Sequence, residues 1–97
     1  MIVLFEWDEV KSETSLRERG FDFAFASLVF DGPTLEVEDR RADYGERRVV
    51  AIGLADHLHL TVVYTDRRSK SGETVRRIIS ARRSSRHERK VYKEANP

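Results

Sequence analysis

The chain has 97 residues, 39% hydrophobic and 36% charged, which predicts a single domain over residues 1–97 with a small core. It contains no cysteine, which excludes a disulfide scaffold, Cys-ligated metal centres and thiol catalysis, and fits a reducing cytoplasm. The net charge of +1 hides a split, since residues 1–66 carry 7 Lys and Arg against 14 Asp and Glu, and residues 67–97 carry 11 against 3.

Residues 2–7, Ile-Val-Leu-Phe-Glu-Trp, are rich in strand formers and predict a short strand. The start has no basic segment and soon turns acidic, unlike a signal peptide, and no apolar run approaches the ~18–20 residues of a membrane span. Asp8 predicts an N-cap for a polar surface helix ending near Arg19, with Gly20 as its stop. On that helix Lys11, Ser15 and Arg19 share one face. Residues 21–30 are ambiguous. Phe21-Asp22-Phe23-Ala24-Phe25 alternates like a strand, whereas Asp22 as a cap and Ala24 and Ala26 favour a helix over 22–30. Asp31-Gly32-Pro33 ends it.

Four strands follow, at 34–38, 47–54, 58–65 and 74–80. Polar connections at 39–46, 55–57 and 66–73 separate them, and the last three strands read as an antiparallel meander. A turn over Ala81–Ser84 is expected next. Ser85-Arg86-His87-Glu88 then has capping-box spacing and predicts a helix over 86–95. The order β-α-α-β-β-β-β-α predicts an α+β fold. Its expected form is a mostly antiparallel sheet of four to five strands, with two N-terminal helices and a C-terminal helix packed against it.

Standard phosphate loops, nucleophile elbows and zinc motifs are absent. His57 and His59 on a regular strand lie ~6–7 Å apart on one face, but no acidic partner is obvious, so they read as polar strand residues and no metal or cofactor is expected. The dense cluster is Val75–Tyr92, rich in arginine, which suits planar, bidentate phosphate contacts. Arg76 and Arg77 point to opposite faces of a strand, so only one joins a given surface. Metal-free RNA cleavage needs help for 2′-hydroxyl attack, stabilisation of the charged phosphorane and protonation of the leaving oxygen. Arginines supply the second; Glu88, His87 or Tyr92 are candidates for the others. Glu88 reads equally as the N3 residue of the capping box, and Tyr92 equally as core.

Six segments carry a family likeness. They are Phe5-Glu6-Trp7-Asp8-x-x-Lys11; Arg-Gly-Phe-Asp-Phe at 19–23; Phe30-Asp31; Gly45-Glu46-Arg47-Arg48-x-x-x-Ile52-Gly53; Val62-Val63-Tyr64-Thr65; and Arg77-Ile78-Ile79-Ser80-Ala81-Arg82 with Glu88 and Tyr92. The chain resembles, over nearly its whole length, the BrnT family of type II toxin–antitoxin toxins. Family members often carry Asn where Ser15 stands and His where Arg19 stands. The resemblance implies a RelE-like fold and a ribonuclease that blocks translation. It also implies a BrnA-type ribbon-helix-helix antitoxin, two toxins around an antitoxin dimer, and operator DNA bound through the antitoxin. Arg48 matches the family's Glu-x-Arg position. The expected catalytic set is Arg48, Arg77, Arg82, Glu88 and Tyr92, with Arg77 and Arg82 converging on one phosphate where the last strand ends. Lys11, Arg76, Arg83, Arg86 and Arg89 are the expected RNA-binding residues. The competing reading is a non-catalytic nucleic-acid or protein-interaction module built on the same basic third.

Overall fold

A computed structural model describes residues 3–97. The elements are β1 (Val3–Trp7), α1 (Glu9–Arg19), α2 (Phe23–Ala26), a 3-10 turn (Ser27–Asp31), β2 (Leu35–Asp39), β3 (Arg48–Ala55), β4 (Leu58–Arg68), β5 (Thr74–Arg83) and α3 (Arg86–Ala95). The α+β class and the element order follow the sequence expectation; Ile2, the first residue of the expected first strand, lies outside the described residues.

The sheet has five strands in the order β1-β5-β4-β3-β2. The expectation of a mostly antiparallel sheet gives way to a mixed one. β2 through β5 pair antiparallel, but β1 lies parallel to β5, with Val3 opposite Thr74 and Trp7 opposite Ile78. A parallel pair needs a long crossover, and here nearly the whole chain supplies it. Hairpin signals are local and carry no information about a partner seventy residues away.

The expected helix over 22–30 also differs. Asp22 does cap it, accepting from the Phe25 amide at 2.9 Å, but only one α turn follows before the chain tightens into the 3-10 turn. The tightening lets Val29 reach the sheet at Gly53, where an added Cβ would lie 3.0 Å from Val29 Cβ and 3.2 Å from Thr34 Cγ2. At the other end of the chain, β5 runs on to Arg83, so the turn expected over Ala81–Ser84 is strand. β4 runs on to Arg68, which shortens the connection before β5, and Gly72 supplies the positive φ of 87° there.

α1 begins at Asp8, which accepts from the Lys11 amide at 3.1 Å, and stops at Gly20 in the left-handed region. It docks through serines rather than large apolar groups. Ser12 Oγ accepts from the Phe23 amide at 3.0 Å, and Ser15 Oγ donates to the Phe21 carbonyl at 2.7 Å. Phe21, Phe23 and Val29 close over Leu60, Val62 and Ile78 to form the main core on that face of the sheet. The other face stays open except where α3 crosses one end, and Val37 and Leu4 there are 63% and 43% exposed.

Candidate active site

Arg77 and Arg82 lie five positions apart, which puts them on opposite faces of a regular strand. The strand is not regular. Tyr64 pairs with Ile78 and Val63 with Ser80, leaving Ile79 as an extra residue. This bulge turns Arg77, opposite Thr65, and Arg82, opposite Thr61, onto the same open face. Their partners lie four positions apart in β4, so the two arginines stand ~13 Å apart by the strand rise. Arg82 is a strand residue and not the turn residue the sequence suggested.

A row of charge crosses the open face at the level of Arg77. In the strand register Asp39 stands opposite Arg48 and Glu6 opposite Arg77, and Thr65 Oγ1 joins the row by donating to the Arg47 carbonyl at 2.8 Å. Arg48 and Arg77 line one cleft of about 140 Å³ together with Lys11, Asp8 and Glu46. Arg48 Nε donates to Glu46 at 3.0 Å, and its guanidinium lies 4.0 Å over the Tyr44 ring. Arg77 reaches Glu6 only at 3.9 Å, and the Glu6 carboxylate is bonded instead by Arg67 at 3.0 and 3.2 Å. A groove between α1 and β5 continues from this cleft past Ile79 and Ser80. Lys11, Ser15 and Arg19 all line it, as their helical spacing predicted. Arg19 Nη1 donates to the Ala81 carbonyl at 2.6 Å, so this arginine ties α1 to the edge of β5 beyond the end of β1.

A second cluster sits where β5 meets α3. Arg82 makes a two-pronged contact with Glu88 at 2.7 and 2.9 Å, and Glu88 also accepts from the Ser85 amide at 2.7 Å. The capping box is complete. The Arg82 guanidinium is the main reason that the Glu88 carboxyl falls to about 2. Such a group is a poor proton acceptor near neutral pH, so its geometry suits it to orienting Arg82. Arg89 Nη1 holds the Ser84 carbonyl at 2.9 Å. Arg83 and Arg86 are exposed.

Two expected site residues lie elsewhere. Tyr92 is buried, donates its hydroxyl to the Pro33 carbonyl at 2.8 Å and meets the His59 ring edge-on, which makes it an anchor of α3. Arg76 faces the helix-covered side. It is paired with both Asp66 oxygens at 2.8 and 2.9 Å and lies over the rings of Tyr64 and Phe30. The histidine pair also separates. His57 stands exposed in the turn, while burial, with Lys93 and Arg89 nearby, pushes His59 below its ordinary value.

The sequence reading missed one cluster. Asp39 is buried beneath Arg41 and Tyr44 in what looked like a uniformly polar loop. A lone acid at the end of a short strand, two residues before an arginine, carries no signal strong enough to single it out.

Among the described residues, no three His, Asp or Glu side chains gather as a metal-binding group, and no helix is long and apolar enough to cross a membrane. No curated protein matches the sequence. The family model for BrnT, the ribonuclease toxin of a type II toxin–antitoxin system, matches residues 7–88. The matched span runs from the end of β1 through the cleft of Arg48 and Arg77 to the Arg82–Glu88 pair, and the chain therefore belongs to the BrnT family of ribonuclease toxins of type II toxin–antitoxin systems.

Proposed function

We propose that this toxin is a metal-independent endoribonuclease that arrests translation and is neutralised by a ribbon-helix-helix antitoxin. The observation that carries the reading is the bulge at Ile79, which brings Arg77 and Arg82 onto the same open face of the sheet, where Arg77 shares a cleft with Arg48. Cleavage proceeds by attack of the 2′-hydroxyl on its own phosphate, so the charge that needs stabilising develops on the phosphorane oxygens. Arg48 and Arg77 hold those oxygens, and Lys11 stands at the mouth of the same cleft. Glu46, beside Arg48 on the cleft wall, takes the hydroxyl proton as the P–O2′ bond forms, and the P–O5′ bond breaks with a proton from solvent passing to the departing 5′-oxygen. Glu88 fixes Arg82, which binds a phosphate further along the strand, and Arg86 and Arg89 extend the positive path onto α3.

The basic open face also gives an antitoxin with an acidic segment a surface to cover. We expect two toxins around one antitoxin dimer, with operator DNA bound through the antitoxin, in the cytoplasm. Mass measurement of the pair expressed together tests the stoichiometry. The test of the chemistry is incubation of the purified chain with RNA in EDTA. Full activity and fragments ending in 2′,3′-cyclic or 3′-phosphate are expected. Activity lost on chelation and restored by magnesium would overturn the metal-free mechanism, and a folded chain that cleaves no RNA in either condition would favour the non-catalytic module.

A further inference from the structure

The loop between β2 and β3 holds Arg48 on two sides. Glu46 accepts from its Nε at 3.0 Å, and its guanidinium carbon lies 4.0 Å from the centroid of the Tyr44 ring. Arg48 and Glu46 line the cleft and Tyr44 does not, so the ring backs the guanidinium from outside. The ring is itself tethered. Its hydroxyl donates to Asp39 at 3.3 Å, and Asp39, with its side chain only 2% exposed, is fixed by Arg41 Nε at 2.9 Å and Nη2 at 2.8 Å. A carboxylate buried this deeply keeps its partners close, since leaving it unpaired is strongly disfavoured.

The two contacts on Arg48 differ in kind. A carboxylate occupies N–H donors of a guanidinium, whereas an aromatic face holds the cation by its plane and leaves the in-plane donors alone. Among the described residues Arg48 donates through Nε alone, so both Nη groups stay available for the two-pronged phosphate contact that suits a guanidinium. Arg76 shows the opposite arrangement. It too lies over rings, but Asp66 takes its Nε and Nη2.

We propose that Tyr44 is a positioning residue for RNA cleavage: its ring, anchored through Asp39, holds the Arg48 guanidinium in the orientation from which the Nη donors meet the phosphorane oxygens. The proposal rests on the ribonuclease reading above and adds to it a residue behind the cleft wall.

The test is steady-state cleavage of a single-stranded RNA of mixed sequence by the full chain, with kcat and KM read separately and circular dichroism confirming each fold. Arg48→Ala should lower kcat by about 10²–10³. Tyr44→Leu should lower kcat about tenfold, the scale of a partly buried cation–π contact, with KM changed less than about twofold. Tyr44→Phe keeps the ring and should stay within about threefold of the parental kcat. In the Arg48→Ala background Tyr44→Leu should cost nothing further, because no guanidinium is left to place. A ring needed only for stability would lower the melting temperature and leave kcat per folded molecule alone. Tyr44→Gln, which keeps a donor for Asp39 without a ring, takes the place of the leucine variant if that one does not fold. A folded Tyr44→Leu or Tyr44→Gln protein with the parental kcat would overturn the proposal. Equal losses in the leucine and phenylalanine variants would overturn it too, as would an undiminished Tyr44→Leu loss on top of Arg48→Ala. If Arg48→Ala cleaves at the parental rate, or the parental chain cleaves no RNA, the ribonuclease reading of the cleft falls with the proposal. A large Arg48 effect with no Tyr44 effect overturns the proposal alone.

Discussion

Arg76 and Arg77 are neighbours in β5, yet the two faces of the sheet put them to opposite uses. On the helix-covered face, Arg76 is 17% exposed at its side chain, paired with Asp66 and stacked over Tyr64 and Phe30. On the open face, Arg77 is 45% exposed and meets its nearest carboxylate only at 3.9 Å. One cation is absorbed into the fold and the other is left to meet a ligand. Residue type therefore says little about function in a chain this rich in charge. What matters is whether the surrounding carboxylates and rings have already satisfied the guanidinium.

The largest expected effect would break this contrast if absent. Arg77→Ala should lower RNA cleavage by about 10²–10³, roughly 3–4 kcal/mol, because it removes a donor from the developing phosphorane charge. Its melting temperature should stay close to the parental value. Arg76→Ala should do the reverse. Losing a two-pronged pair and two ring contacts costs about 1–2 kcal/mol of stability, which lowers the melting temperature by roughly 4–8 °C per kcal/mol in a domain of this size. Cleavage per folded molecule should be nearly unchanged. Melting curves and initial rates on both variants decide the matter, and a folded Arg77→Ala protein cleaving at the parental rate would remove the open face from the chemistry.

Glu88 sharpens the comparison, because it braces an arginine of the open face from behind. Its carboxyl lies at about 2 in the folded chain against an ordinary value of 4.5, chiefly through Arg82. A depressed carboxyl contributes stability that is present above about pH 4.5 and lost as the pH falls through about 2. Acid titration of the parental chain should show this loss, and Glu88→Gln should flatten that part of the curve. The same variant should lose about 1 kcal/mol at pH 7 through the lost charge pair with Arg82, since glutamine still closes the capping box. Its cleavage should fall less than that of Arg77→Ala, with the pH dependence of the rate near neutrality unaltered. A shifted pH–rate profile would instead make Glu88 a proton carrier.

The smallest effect belongs to Tyr92. Tyr92→Phe deletes the bond to the Pro33 carbonyl and should cost about 0.5–1.5 kcal/mol of stability, with cleavage unchanged. A loss of activity without a loss of stability would return this phenol to the reaction.

The features of the site legible in the sequence were those that depend on near neighbours. Lys11, Ser15 and Arg19 do line one groove, because helical periodicity alone places them there. Ser85 and Glu88 do close a capping box, because the motif needs only four residues. Arg48, Arg77 and Arg82 were singled out by residue type and family pattern, and the shared face of Arg77 and Arg82 came from the bulge at Ile79. Asp39 and Arg41 were not legible, since nothing local says that an acid at a strand end will be buried.

By itself, the sequence determined the order of the elements, the caps of α1 and α3, the opposition of Arg76 to Arg77 and the family. These follow from backbone geometry over a few residues or from motifs preserved as strings of letters. The tertiary structure alone decided that β1 lies parallel beside β5, that Phe23–Asp31 tightens against Gly53, that Arg19 ties α1 to β5 and that Tyr92 and Arg76 belong to the scaffold. Each of these is a contact between residues far apart in the chain. Its free energy depends on which groups are already buried or paired when the two segments meet, and no local pattern of residues encodes that.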